Sequence, residues 1–219
     1  MVYIALEGID GSGKTTQYLS EVSHLKERMG DNRVEEYGYS DKDNPIGKLI
    51  KLMYQKDASG ILSRIGRSSR LVQEGMYALN ARHNLKKVRK DTEVIVSDRS
   101  IVTAYASHID LIPEWVINLV EPKMCPDLVV FIDVPPEIGF KRLQQANRDT
   151  LYFEETLEGI RLFHQNYEKI FNGRKPAKLR ETEVMMIDGN RPLREVESDV
   201  HGSIDKWLAN NYDPKRKVE

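Results

Sequence analysis

The sequence predicts an α/β protein with a five-stranded parallel sheet that is covered by helices on both faces. Short apolar runs rich in β-branched residues recur at residues 2–6, 94–96, 128–132 and 184–187, with helical stretches between them. The runs are continuously apolar, which is typical of strands that are buried on both faces. The alternation of strand and helix favours right-handed crossovers between parallel strands.

The first strand is followed by a glycine-rich turn and then by a predicted amphipathic helix, which Gly30 is expected to end. The apolar face of this helix is formed by four residues, Tyr18, Val22, Leu25 and Met29. A weaker strand is expected at 34–37. Helices are predicted at 46–54 and over most of 67–90, and another pair of helices is expected after Pro136.

Length and composition indicate one domain that covers residues 1–219, with a short lid at about 142–153. The chain has 33 Lys and Arg against 34 Asp and Glu, so no bulk charge favours a nucleic-acid polymer or a membrane surface as partner. Cys125 is the only cysteine, which excludes an intrachain disulfide and a multi-cysteine zinc site. Because a single cysteine suits a reducing compartment and no apolar run approaches the ~18 residues of a membrane span, a cytoplasmic location is expected.

The turn after the first strand carries the strongest motif. Residues 8–15 read GIDGSGKT and match the phosphate-binding P-loop pattern G-x-x-x-x-G-K-[ST], between a predicted strand and a predicted helix. Backbone N–H groups of such a loop surround phosphate oxygens, Lys14 would reach the outer phosphates, and the Thr15 hydroxyl would bind Mg²⁺. The sequence therefore predicts an ATP site formed by Gly8, Ile9, Asp10, Gly11, Ser12, Gly13, Lys14, Thr15 and Thr16.

A P-loop alone does not decide whether the protein is a GTPase, a motor protein or a kinase. The run at 94–96 leads to Asp98 and Arg99, at the strand end that faces the ligand crevice, so Asp98 is a second candidate ligand for Mg²⁺ and Arg99 a cation for a second phosphate. No guanine-reading NKxD segment follows, which argues against a GTPase. Arg142, on a predicted helix, and Arg148, in the polar stretch after it, are cations that a lid could bring over a transferring phosphoryl group, which favours a kinase.

These residues resemble the thymidylate kinase family of nucleoside monophosphate kinases, from residue 5 to about residue 196. The matching segments are ALEGIDGSGKTTQ at the P-loop, NPIGKLI at 44–50, NARH at 80–83, SDRS at 97–100, PDLVVFIDVPPEIGFKRL at 126–143 and MIDGNRPLREV at 186–196. The resemblance implies the P-loop kinase fold, a homodimer, and transfer of the γ-phosphoryl group of ATP to dTMP with Mg²⁺, by in-line displacement.

The resemblance also implies individual roles on the substrate side. Asp10 would accept a hydrogen bond from the 3′-hydroxyl of the substrate sugar, Arg82 would position the base, and Arg99 would hold the acceptor phosphate. Gly11 stands where some members carry a P-loop arginine, and members without it tend to supply lid cations, which points to Arg142 and Arg148. The substrate-binding residues expected on this basis are Asp10, Lys42, Tyr77, Arg82, Asp98 and Arg99.

Three positions depart from the family pattern. Lys42 replaces an arginine, Ser100 replaces the tyrosine of the Asp-Arg-Tyr element, and Ala78 stands where an aromatic residue stacks on thymine, with Tyr77 beside it as a substitute. Two alternatives therefore stay open: a kinase for another or several deoxynucleoside monophosphates, and a nucleotide-binding module without turnover. The presence of Lys14 and of the cationic side chains argues against the second.

Overall fold

The computed structural model describes residues 1–41, 43–54, 70–146, 156–173 and 175–212. Lys42 and Arg148 lie outside these ranges, and so does the part of the expected lid after residue 146. Residues 142–145 at the start of that expected lid form the last turn of a helix.

The described residues form one parallel sheet of five strands in the order β2-β3-β1-β4-β5. The strands are β1 (Val2–Glu7), β2 (Val34–Tyr37), β3 (Val94–Asp98), β4 (Leu128–Asp133) and β5 (Glu183–Asp188). Leu6 of β1 aligns with Asp98 of β3, and Glu7 aligns with Phe131 of β4. Because the strand order reverses at β1, a crevice opens at the carboxyl ends of β1, β3 and β4, where open α/β sheets bind ligands.

Helices cover both faces of the sheet and confirm the predicted α/β class. They are α1 (Lys14–Met29), α2 (Pro45–Tyr54), α3 (Arg70–Leu85), α4 (Ile101–His108), α5 (Glu114–Val120), α6 (Pro136–Gln145), α7 (Leu157–Asn172) and α8 (Leu193–Asn211). On one face, α1 and α8 pack on β1 through Val22, Leu25, Ile204, Trp207, Ile4 and Leu6. On the other face, α4 and α7 pack on the sheet through Ile101, Tyr105, Ile160, Tyr167 and Ala5.

The predicted strands are all confirmed, including the weaker one at 34–37, and α1 ends at Gly30 with a φ of 98°. The helix predicted over most of 67–90 is confirmed by α3, which ends at Leu85. There the hydrogen bonds shift to tighter turns, with Lys87 N donating to Asn84 O and Val88 N to Leu85 O. Residues 86–90 then lead the chain back towards β3.

No helix in the described part of the chain is both long and apolar enough to cross a membrane.

Candidate active site

The P-loop connects β1 to α1 in the crevice at the carboxyl end of the sheet. Gly11 has a φ of 80°, in the left-handed region that favours glycine. A Cβ atom built on Gly11 would lie 2.1 Å from the backbone oxygen of Gly139 on α6, so the loop and this helix meet backbone to backbone. A side chain at position 11 is therefore excluded by both conformation and space, which explains why glycine stands where some family members carry arginine.

Lys14 lies inside the loop with 6 % of its surface exposed. Its ammonium donates to Asp10 Oδ1 at 3.1 Å and to the backbone oxygen of Ile9 at 3.4 Å. Burial, with the nearby charge of Arg99, lowers the pKa of Lys14, and Asp10 and Asp98 act in the opposite direction. The lysine is held by the same carboxylate, Asp10, for which the family resemblance implies a role on the substrate side.

Thr15 and Asp98 form the candidate magnesium site. The Thr15 hydroxyl donates to Asp98 Oδ2 at 2.6 Å, which joins the start of α1 to the end of β3. Asp98 Oδ1 is buried and has no hydrogen-bond partner among the described residues. A free carboxylate oxygen beside a hydroxyl is a donor set that a hard divalent cation prefers, so these two residues fit Mg²⁺.

Arg99 connects the two halves of the crevice. Its guanidinium forms an ion pair with Asp10 Oδ1, the atom that also accepts from Lys14, and its central carbon lies 5.8 Å from the centre of the Phe163 ring. The Arg99 side chain is 15 % exposed, so the pair is partly shielded from water. Asp10 therefore lies between Lys14 of the P-loop and Arg99, the residue that follows β3.

Arg142 approaches the P-loop from α6. It donates to the backbone oxygen of Gly11 at 3.5 Å and to that of Gly189, after β5, at 3.2 Å. The structure thus brings Arg142 together with Lys14, Asp10, Thr15, Asp98 and Arg99 around one loop.

Arg82 lies elsewhere. Its guanidinium donates to the backbone oxygens of Leu119 at 3.0 Å and Glu121 at 3.4 Å, at the carboxyl end of α5. Ala78, one helical turn earlier, is 2 % exposed, while Tyr77 is half-buried. The described contacts of Arg82 are with α5 and not with the cluster around Asp10.

Sequence reasoning missed a buried carboxylate under the P-loop. Glu7 is fully buried and accepts hydrogen bonds of 2.7 Å from the hydroxyls of Ser100, Thr103 and Tyr167. The signal for it was available, because an acidic residue that ends an apolar strand directly before a P-loop is expected to need buried partners. The partners themselves were not predictable, since Tyr167 is 160 residues away in sequence.

Two further buried acids, Glu74 and Glu121, lie close together on the Arg82 side. Glu121 Oε2 accepts from the Tyr39 hydroxyl at 2.7 Å, and Glu74 Oε2 pairs with His108 Nε2 at 2.9 Å. Burial and the neighbouring Glu74 raise the pKa of Glu121 to about 9. Glu121 is therefore protonated at neutral pH.

Three buried asparagines fix the segment that precedes α2. Asn44 Oδ1 accepts from Gly47 N at 2.8 Å and so caps α2, while its Nδ2 donates to Asn84 Oδ1 at 3.0 Å and also to Asn80. Asn84 in turn donates to the backbone oxygen of Gly38 at 2.6 Å. The loop after β2 is thereby held against α3.

A parallel sheet that reverses its strand order at β1, a P-loop at that point and an acid at the end of β3 define a P-loop kinase fold. Within this class, the sequence model of the thymidylate kinase family matches residues 6–200, so the chain belongs to the thymidylate kinase family.

Curated relatives match over nearly their whole length. The chain is 28% identical to the probable thymidylate kinase 2 of Saccharolobus solfataricus, over 95% of this chain and 97% of the relative. It is 27% identical to the thymidylate kinase of Leuconostoc mesenteroides, over 94% and 96% of the two chains. It is also 27% identical to the probable thymidylate kinase of Methanosphaera stadtmanae, over 94% and 99%.

Proposed function

We propose that this protein transfers the γ-phosphoryl group of ATP to dTMP and releases dTDP and ADP. The observation that carries the proposal is the position of Asp10, whose Oδ1 pairs with both Lys14 of the P-loop and Arg99, which directly follows β3. A lysine for the donor phosphates and an arginine for the acceptor phosphate are then held on one carboxylate. An in-line displacement needs this proximity of the two phosphates.

On the donor side, backbone N–H groups of the loop would surround the phosphates of ATP, and Lys14 would contact the outer ones. Thr15 and Asp98 would hold Mg²⁺. When bound, the ion would neutralise charge on the donor phosphates.

On the acceptor side, Arg99 offers a planar fork to a dianionic phosphate, and the Phe163 ring supports it. The proposal keeps the roles that the resemblance implies for Asp10 at the sugar hydroxyl and for Arg82 at the base. It also keeps Tyr77 and Lys42 as substrate-binding residues.

The charge that develops on the transferring phosphoryl group must be met by a cation other than a P-loop arginine. The contact between Gly11 and Gly139 leaves no room for one. Arg142 is a fixed candidate, because the backbone oxygens of Gly11 in the loop and of Gly189 after β5 hold its guanidinium. Arg148 is the second candidate, carried by the lid that the proposal places at about 142–153.

A second candidate function is favoured by Ala78. A small buried side chain supplies no ring for stacking on thymine, so a kinase that accepts several deoxynucleoside monophosphates is the alternative.

The experiment is an ADP-release assay with ATP and Mg²⁺ across a panel of ribo- and deoxynucleoside monophosphates. We expect kcat/KM to be highest for dTMP. Equal or higher values for other deoxynucleotides would favour the second candidate, and no ADP release with any acceptor would contradict catalysis altogether.

The proposal includes a cytoplasmic homodimer that requires neither a nucleic-acid polymer nor a membrane. Light scattering after gel filtration should give twice the 25.3 kDa of one chain. A mass of one chain at micromolar concentration would contradict the dimer.

A further inference from the structure

Arg99 has an unusual backbone conformation. Its φ is 76°, and it is the only non-glycine residue with a positive φ among the described ranges. A non-glycine residue in the left-handed region is strained, and this conformation persists only when the surroundings enforce it.

Hydrogen bonds to the backbone fix Arg99 from two strands. Arg99 N donates to Leu6 O of β1 at 3.0 Å. The Ser97 hydroxyl donates to Arg99 O at 2.7 Å and lies 2.9 Å from the Tyr3 hydroxyl, which donates to it. The backbone N–H and C=O groups of Arg99 are therefore both hydrogen-bonded. The strained conformation also requires that the turn after Arg99 be fixed.

That turn is fixed by Glu7. The Ser100 hydroxyl donates to Glu7 Oε1 at 2.7 Å and accepts from Val102 N at 3.2 Å, so it also caps α4. Ser100 is the residue that departs from the tyrosine of the family pattern, and its short side chain reaches the acid directly. Glu7 thereby holds the residue that follows Arg99.

The same carboxylate supports the guanidinium end of Arg99. The Thr103 hydroxyl donates to Glu7 Oε2 at 2.7 Å, and its oxygen lies 3.5 Å from Arg99 Nη1, which donates to it. Glu7 therefore acts on Arg99 at two points, on its backbone through Ser100 and on its side chain through Thr103.

We infer that Glu7 is a positioning residue that sets the direction of the Arg99 guanidinium through Ser100 and Thr103. It does not touch substrate, since its side chain is fully buried. A buried carboxylate costs stability unless it is fully hydrogen-bonded, and two of its three hydroxyl partners lie on the segment that carries Arg99. The inference rests on the proposed function only in taking Arg99 as the acceptor-phosphate ligand.

The third partner of Glu7 supplies a matched control. Tyr167 donates to Glu7 Oε2 at 2.7 Å from α7, but it does not belong to the segment of Arg99. Thr103→Val and Tyr167→Phe each remove one hydroxyl donor from the same oxygen and leave a side chain of similar shape. Their costs in stability should therefore be similar, and their effects on kinetics should differ.

The experiment measures thermal stability, kcat and both KM values for Glu7→Gln, Thr103→Val, Thr103→Ser and Tyr167→Phe. Glu7→Gln and Thr103→Val should raise the KM for dTMP and lower kcat, each by roughly tenfold, with the KM for ATP within about twofold of wild type. Thr103→Ser, which keeps the hydroxyl, should restore both values. Tyr167→Phe should keep both within about twofold of wild type.

Two results would overturn the inference: an unchanged KM for dTMP in Thr103→Val, or an equal rise in Tyr167→Phe, which would mean a general packing defect. The Thr103 variants decide the matter even where Glu7→Gln fails to fold. The dissociation constants for dTMP measured by calorimetry should rank the variants in the same order as their KM values for dTMP. If the wild-type protein binds dTMP but releases no ADP, the proposed function is contradicted, and the binding measurements still test the role of Glu7. If it binds no nucleoside monophosphate, both the proposed function and the role of Glu7 are contradicted.

Discussion

The phosphate end of the crevice and the base end around α3 differ in how they relate to the family pattern. At the phosphate end, Lys14, Asp10 and Arg99 match the pattern and are joined by direct contacts. At the base end, Ala78 replaces an aromatic residue and Arg82 contacts carbonyls of α5. Phosphate groups are common to all nucleotides and demand one geometry, whereas base choice depends on a few side chains that can change separately. Under the proposed function, the reaction and its specificity would therefore depend on different regions of this molecule.

The phosphate end should be the more sensitive to mutation. Lys14→Ala is expected to lower kcat by about 10³-fold, because no other described side chain of the P-loop offers a positive charge to the outer phosphates. Steady-state kinetics with a circular-dichroism control for folding measures this. Turnover near the wild-type value in a folded variant would remove Lys14 from the site.

The two candidate cations for the transition state can be separated by kinetics at saturating substrate. Arg148→Ala should lower kcat by roughly 10²-fold or more while changing either KM less, if the lid residue meets the developing charge. Arg142→Ala is the comparison, because that guanidinium is fixed on backbone oxygens. An unchanged kcat in Arg148→Ala together with a collapse in Arg142→Ala would assign the charge to α6.

Arg99→Ala should affect both acceptor binding and chemistry. One guanidinium holds and aims the acceptor phosphate, so the KM for dTMP should rise and kcat should fall, each by about tenfold or more, with little change in the KM for ATP. Arg99→Lys is the control, because it keeps the charge and loses the fork. A change confined to the KM for ATP would place Arg99 on the donor side.

At the base end, the expected effect is smaller and concerns the stability of the fold rather than turnover. The folded chain keeps the proton of Glu121 up to about pH 9, whereas the unfolded chain releases it near the ordinary value of 4.5. The folded state therefore binds more protons between these values, and this contribution to stability falls as the pH rises.

Glu121→Gln removes the titration and should make the melting temperature less dependent on pH between 6 and 9, with a gain of a few degrees over wild type at the upper end. Glu181→Gln, at an exposed position, is the control. An identical pH dependence in wild type and Glu121→Gln would contradict a protonated Glu121.

The sequence predicted residues that are close together along the chain, and it did not predict contacts between distant segments. The P-loop residues, Asp98 and Arg99 were predicted because a strand, a turn and a helix are consecutive in sequence. The partners of Glu7 and Glu121 were not, because contacts such as Glu7 to Tyr167 depend on how distant segments pack. Helix α4 escaped prediction for a different reason: most of its residues are buried, so it has no polar face to mark a helical period.

Phosphoryl transfer is tested most directly with ATP radiolabelled in its γ-phosphoryl group, incubated with dTMP and Mg²⁺. We expect the label to appear in dTDP, chelation of the metal to abolish the transfer, and Asp10→Asn to slow it, because Asp10 joins Lys14 to Arg99. Label that appears only in inorganic phosphate, or transfer that Asp10→Asn leaves unchanged, would contradict this expectation.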